Sequence, residues 1–421
     1  MHSSSPRVEN GNALIRGARC VFGPALSDYC FLRIDSGRIS RIAGRASVPT
    51  DSQAEYVDID LSGFLVFPGL VNAHDHLQFA LYPRLGGPHY KNYFEWGEDV
   101  HQRFSDVIAT HHRVPKKTRV WWGGIRNLLC GATTVCHHDQ LWPELQRQDF
   151  PIRVVQHYGW AHSLALGGDI LQAWRETPYG SPFILHVCEG VDNYAKQELS
   201  KLDQLGILNK DTVLVHGLAV DESGIELLRR RGVSLVTCPS SNNFLFGRLP
   251  SMDLLGEIDN LSLGNDSPLT SAGDLLDEIR FGTQHCKIPP ERAYAMVTDA
   301  PAAVLRLSEK QGTIRESGIG DLIGVRDTGV TPADTLQSLS IKDVEFVMVA
   351  GVVQLASDVV RKALSASAVI GLEPLWIDGI LRWIRAPIQE LLCQAEAVLG
   401  VGQVHLGGRE LSSASNLIRE S

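Results

Sequence analysis

Residues 67–78 read FPGLVNAHDHLQ, an apolar run that breaks into His-Asp-His. Side chains along a strand alternate between its two faces, so His74 and His76 point to the same side. Two imidazoles on one face chelate a borderline divalent ion such as Zn²⁺. Asp75 points the other way, where a structural part is expected of it. The same habit, an apolar run closed by a polar residue, returns at 133–137, 152–157, 183–186, 213–216, 233–238 and 261–266. Between these runs lie helix-like stretches such as 193–205 and 222–231, each followed by a glycine, Gly206 and Gly232, that suits a helix stop. Strands alternating with helices predict the parallel sheet of an α/β protein, here a (β/α)₈ barrel of the TIM type. In such a barrel the C-terminal strand ends form the active-site face. Polar residues closing the runs would therefore converge, although they are far apart in sequence.

Working outward, both ends of the chain change texture. Residues 13–60 read as short strands with turns, and strand-like segments return at GDLIGVRD and VEFVMVAGVVQLAS. The economical reading is one small β-sandwich built from both ends, residues 1–66 and 320–372, around a barrel at 67–319. Residues 373–421 read as a helical tail interrupted at Pro387, either packed on the domain surface or making a contact between copies in a homo-oligomer. The stretch from 152 to 186 is too short for two full strand–helix units, so the fourth strand is expected to be abbreviated within 160–165.

The bulk numbers exclude several classes. A net charge of −9 argues against nucleic acid and against an anionic membrane surface. No apolar run is long enough to span a bilayer, and residues 1–11 are polar, so no secretory leader is expected. The eight cysteines are scattered without a CxxC pair, which reads as the reduced thiols of a cytoplasmic protein. The expected partner is a small-molecule substrate.

Residues able to carry chemistry cluster at the run ends. His186 closes PFILH, and Glu189 follows three residues later. His216 closes DTVLVH, and Asp266 follows LSLGN. Singly each is weak; their shared position at strand ends makes a site with one divalent metal ion the joint reading. Around it, Gln78, His138, Tyr158 and Trp160 are candidates for substrate contact, aromatic rings there being suited to stacking on a planar ring. His137, Asp139, His157 and His162 lie nearby in sequence, with Tyr158, Trp160 and His162 assigned near the end of the third strand. Arg84 and Trp96 fall in a loop that could cover the site. Ser240 and Asn242 read as architectural.

These motifs together, PGLVNAHDH, GATTV, HVCE, VHG, CPSSNNFLFG and LGNDS, resemble the amidohydrolase superfamily, in the branch containing cytosine deaminase, guanine deaminase, adenosylhomocysteine deaminase and the triazine chlorohydrolases. The resemblance spans roughly residues 13–357. It implies that His74, His76, His186 and Asp266 hold one ion, zinc or iron, with Zn²⁺ the first expectation. It implies catalytic parts for Glu189 as proton shuttle, His216 on the attacking water or the substrate oxygen, and Asp266. A divalent ion lowers the pKa of water toward neutrality, and this set suits attack at an sp² carbon bearing an amine. The implied activity is an aminohydrolase acting on a nitrogen-containing, heteroaromatic small molecule. Hydrolysis of a cyclic amide or another non-peptide C–N bond is the alternative, and a non-catalytic ligand-binding homologue the third reading. Residues 77–104 depart from the substrate loops of those relatives, which leaves the substrate open.

Overall fold

Eight short strands with buried side chains run parallel through the middle of the chain: β1 (Leu70–Asp75), β2 (Ala132–His137), β3 (Arg153–Val154), β4 (Gly159–Trp160), β5 (Phe183–Val187), β6 (Thr212–His216), β7 (Ser234–Thr237) and β8 (Leu261–Leu263). The computed structural model describes residues 11–44, 56–166, 168–271 and 273–412. The expectation of no leader at residues 1–11 therefore falls almost wholly outside the described residues.

The strands pair in chain order as two parallel sheets, β1-β2-β3 and β4-β5-β6-β7-β8. The last strand returns to the first. An isolated parallel bridge joins Asp75 to Asp266, and the Asp266 N–H donates to the His74 carbonyl at 3.2 Å. Gly264 allows that approach, because a Cβ there would lie 2.5 Å from the His74 Cβ. Every residue of β1, β2, β5, β6 and β7 is buried, which explains why these strands read as continuous apolar runs rather than alternating ones.

Helices lie between the strands: α1 (Tyr93–Arg103), α2 (Ser105–His112), α3 (Lys116–Leu129), α4 (Ile170–Glu176), α5 (Asn193–Gln204), α6 (Glu222–Arg231) and α7 (Pro239–Phe246). The two helices expected from periodicity are α5 and α6. Asp192 caps α5 by accepting from Ala195 N–H, and Asp221 caps α6 by accepting from Gly224 N–H. Gly232, at φ 69°, ends α6 in the left-handed conformation that glycine adopts without a steric penalty. β3 and β4 are two residues each, and no helix separates them among the described residues. This corrects the strand assignment: Trp160 lies in the fourth strand, and His162 follows the fourth strand rather than the third.

The chain ends share a second sheet. Its thirteen strands include Ala13–Arg16 and Ser27–Asp35 from one end and Phe346–Val349 and Val352–Ala356 from the other. The seam is Phe64–Pro68 lying antiparallel to Leu322–Arg326. The helical tail expected at 373–421 needs correction. Glu373–Ile377 and Ile380–Ile384 form an antiparallel hairpin in this sheet, and Arg409–Ser412 pairs with it. Only Ile388–Leu399 is helical there, starting directly after Pro387. The apolar residues that suggested one long helix (Leu375, Ile377, Ile384) are the inward-facing residues of strands. Residues 413–421 lie outside the described part.

Candidate metal and catalytic site

β1 delivers His74 and His76, β5 delivers His186, β6 delivers His216, and the turn after β8 delivers Asp266. The ring nitrogens meet. His186 Nε2 lies 3.3 Å from His74 Nε2 and 3.4 Å from His76 Nε2. Asp266 Oδ1 lies 3.6 Å from both His74 Nε2 and His76 Nε2. His186 Nδ1–H donates to the His162 carbonyl at 2.7 Å, so its Nε2 carries a lone pair into the cluster. Lone pairs and a carboxylate oxygen facing one another at these distances repel unless a cation lies among them. A tetrahedral ion with bonds of about 2.0–2.1 Å sets its ligand atoms about 3.4 Å apart, and the four residues fit it.

Burial makes the same point. Desolvation, followed by the neighbouring imidazoles, holds His76 and His186 well below the usual histidine range, which leaves them neutral and able to ligate. Burial alone would raise Asp266, but the imidazoles of His74, His216 and His76 outweigh it and keep the carboxyl ionised far below its ordinary value. Asp266 Oδ2 is fixed by two hydroxyls, Ser241 at 2.8 Å and Thr270 at 2.9 Å. Asp75 is turned away from the cluster and accepts from Arg126 Nη2 at 2.7 Å and Asn127 Nδ2 at 2.6 Å, the structural part expected of it.

Beside the cluster, His216 Nε2 stands 3.6 Å from Glu189 Oε1. His216 Nδ1–H donates to Asn242 Oδ1 at 3.1 Å, which leaves Nε2 as an acceptor. Burial pushes His216 down to about 4 and raises Glu189 well above the carboxylate range, the charges of Asp266 and Glu198 adding to the second shift. A neutral imidazole therefore sits next to a protonated carboxylic acid. Three non-glycine residues at these strand ends, Cys188 (φ 53°), His216 (φ 75°) and Asp266 (φ 52°), hold left-handed backbone conformations. Each costs on the order of 1–3 kcal/mol, a strain that aims side chains at a common point.

A cavity of about 590 Å³ opens onto this floor, lined there by His76, His162, His186, Glu189, His216 and Asp266. Of the four candidates for substrate contact, His138 alone joins the histidine cluster: one ring nitrogen from each of His74, His76, His138 and His186 lies within 4.8 Å of the others. Its Nε2 is bonded to the Ala161 carbonyl at 2.9 Å, and its buried Nδ1 has no protein partner. Gln78, Tyr158 and Trp160 do not line the cavity. Gln78 Nε2 donates to Asp139 Oδ2, the Tyr158 hydroxyl donates to the Asp139 carbonyl, and Trp160 sits edge-on behind His138. With β3 and β4 so short, the segment carries His162, not its aromatic neighbours, to the cavity. The CPSSN turn does more than architecture: Ser241 and Asn242 orient Asp266 and His216. The spacing of polar residues at the start of a helix was the available signal.

The cavity roof comes from α1 and α2. Asn92 caps α1, accepting from Phe94 and Glu95 N–H, and its amide donates to Asp192 Oδ2 at 2.6 Å. Gly190 lets α1 dock on the loop after β5, since a Cβ there would meet the Lys91 carbonyl oxygen at 2.6 Å.

With this geometry in hand, comparison with known proteins is informative. The amidohydrolase family profile matches residues 161–354. The chain is 24% identical over 375 residues to 5-methylthioadenosine/S-adenosylhomocysteine deaminase 2 of Archaeoglobus fulgidus, covering 74% of this chain and 84% of that one. It is 29% identical over 365 residues to the 5-methylthioadenosine/S-adenosylhomocysteine deaminase of Thermococcus kodakarensis, covering 73% and 84%. Among solved structures, atrazine chlorohydrolase from Arthrobacter aurescens complexed with zinc superposes with a TM-score of 0.68 at 16% identity, over 92% of this chain and 99% of that one. An adenosine deaminase from Xanthomonas campestris with bound zinc gives 0.64 at 18% identity, over 92% and 97%. The structural likenesses give a TIM-barrel-like fold, and the profile and the deaminase relatives agree with it: this chain is a member of the amidohydrolase superfamily.

Proposed function

We propose that this protein is a metal-dependent aminohydrolase that replaces the exocyclic amine of a heteroaromatic small molecule with oxygen, releasing ammonia. The observation that carries this reading is the pairing of Glu189, held protonated by burial, with His216 beside a three-histidine, one-aspartate cluster. Deaminases among the relatives support the substrate class.

His74, His76, His186 and Asp266 would hold the ion, Zn²⁺ being our first choice because the donor set is imidazole and carboxylate in a near-tetrahedral spacing. When bound, the ion supplies a positive charge that lowers the pKa of water at the site toward neutrality. Asp266 accepts the proton that this water gives up, and Ser241 and Thr270 keep its carboxylate in place for that transfer. His216 Nε2, an acceptor by virtue of the Asn242 contact, orients the attacking oxygen. Glu189 donates its proton to a ring nitrogen, which makes the carbon bearing the amine more electrophilic. The amine leaves as ammonia, taking the proton collected from water. His138 Nδ1, a buried lone pair, is suited to accept from an N–H of the substrate.

We further read β1–β8 as a closed (β/α)₈ barrel, with the two chain ends forming one composite β-sandwich beside it. The Asp75–Asp266 bridge and the seam at Phe64–Pro68 support this division. No described helix is long and apolar enough to cross a membrane. The eight cysteines are unbridged, and we assign the protein to the reducing cytoplasm on that ground.

The test is ammonia release from a panel of amino-purines, amino-pyrimidines, amino-pterins and amino-triazines by the zinc-loaded protein. Release from at least one ring is expected. Ring opening detected by mass spectrometry, without ammonia, would transfer the site to cyclic-amide hydrolysis. Tight binding without any turnover would make the chain a ligand binder.

A further inference from the structure

The cavity has two unlike halves. Its floor is the polar cluster described above. Its opposite wall is built by Phe79, Tyr82, Phe94, Trp96, Val100 and Leu269. The polar tips that this wall could offer are used inside the protein. Trp96 Nε1–H donates to the Leu85 carbonyl at 3.0 Å, and the hydroxyl of Tyr93, which also borders the cavity, donates to Glu198 at 3.0 Å. Thr270, where wall meets floor, spends its hydroxyl on Asp266.

No lysine or arginine lines the cavity. Arg84, in the covering loop, is outside it, stacked on the Phe244 ring at 4.8 Å. The charged or titratable groups of α1 that border the cavity are Glu98 and His101, both exposed and therefore at its mouth.

Size narrows the occupant. At about 30 Å³ per water-sized atom, a volume of about 590 Å³ takes roughly twenty non-hydrogen atoms. An amino-substituted bicyclic ring has about half that number, so a second group of comparable size belongs in the outer half. A sugar there would bury hydroxyls against rings that offer no hydrogen bond, and each unpaired hydroxyl is penalised. An amino-acid chain would bring a carboxylate toward Glu98 with no cation to meet it. An apolar group would be dehydrated with gain.

We infer that the substrate is a heteroaromatic amine carrying an uncharged apolar substituent, an alkyl or aryl group, in place of a sugar or an amino-acid chain. This rests on the aminohydrolase reading for the ring end and on the wall residues alone for the substituent. It separates this chain from the nucleoside substrates that its relatives' names carry.

The experiment uses matched sets on the same amino-purine, amino-pyrimidine and amino-triazine rings: an N-butyl or N-benzyl member, an N-ribosyl member and an N-carboxybutyl member. For each, ammonia release gives kcat/KM with the zinc-loaded full chain, and titration calorimetry gives Kd independently of turnover. The apolar member should be preferred at least tenfold over the other two in kcat/KM, or in Kd for a ring that is bound but not converted. Preference for the riboside or the carboxylate, equality within threefold, or absence of binding by every member would each overturn the inference. Failure of all ammonia release with the apolar preference intact in Kd would refute the aminohydrolase reading and leave the substituent assignment standing. In a second arm, Phe94→Arg, checked for fold by circular dichroism, should raise the carboxylate member relative to the butyl member at least tenfold. No change in that ratio would contradict the placement of the substituent against α1.

Discussion

The floor and the roof of the cavity are made of different material by different rules. The floor comes from four strand ends, carries nearly all the titratable groups, and is held rigid by buried partners: Asn242 on His216, Ser241 and Thr270 on Asp266, the His162 carbonyl on His186. The roof comes from one excursion between β1 and β2, is dominated by aromatic and aliphatic surface, and is tied down at a few points such as Asn92 and Gly190. Chemistry demands fixed geometry within fractions of an ångström, and a strand end buried on every side provides it. Recognition demands a shaped surface, which an insertion can vary without disturbing the strands beneath it. The difference teaches that the reaction class and the substrate of this chain are separate questions, answered by separate residues.

Breaking the floor should have the largest effect. Asp266→Asn removes both an anionic ligand and the proton acceptor; turnover should fall below detection in an ammonia assay, with weakened metal retention by elemental analysis. Glu189→Gln keeps shape but loses the acid. kcat should drop on the order of 10²–10⁴-fold, while metal content stays at the wild-type level. Wild-type rates in either variant would contradict the roles given to these residues.

The supports of the floor come next. Asn242→Ala frees the His216 imidazole to rotate or change tautomer; a loss of about 10–100-fold in kcat is expected, with KM little changed. A change confined to KM would move Asn242 from positioning to substrate contact.

The smallest effect is on stability, where floor and roof meet. Glu198 accepts from Cys188 N–H on the floor side and from the Tyr93 hydroxyl on the roof side, and burial pushes its pKa up to about 7. Its folded value thus lies above its unfolded one, so the folded state binds the extra proton. Its contribution is full below about pH 4.5 and declines as pH rises through 7, by about 3 kcal/mol at most. Denaturant melts of wild type against Glu198→Gln across pH 4–8 should show wild type losing ground as pH rises. A difference that is flat with pH would mean that Glu198 titrates normally.

The two regions also differ in how far the sequence exposes them. His74, His76, His186, His216 and Asp266 were legible because a strand has a period of two and a parallel strand ends at the active face, so position along the run predicts position in space. Glu189 followed from its place after β5. Tyr158 and Trp160 were misjudged because β3 and β4 are two residues each, too short for alternation to register. The roof gave no such handle. Phe79, Phe94 and Leu269 belong to three separate segments that meet only through the docking of α1 on the loop after β5. That docking depends on Gly190 and an Asn92–Asp192 contact about a hundred residues apart. Strands in 373–384 were hidden for a related reason: their inward residues fall at spacings that a helix also satisfies.

The central claim is that one ion on the floor makes this chain an aminohydrolase. Its most direct test is titration of metal-free protein with Zn²⁺ while ammonia release from a converted amino-heterocycle is followed. Activity should rise from zero and level off at one equivalent per chain, and His76→Ala should neither retain the ion nor gain activity. Turnover without metal, or a plateau only at two equivalents, would contradict it.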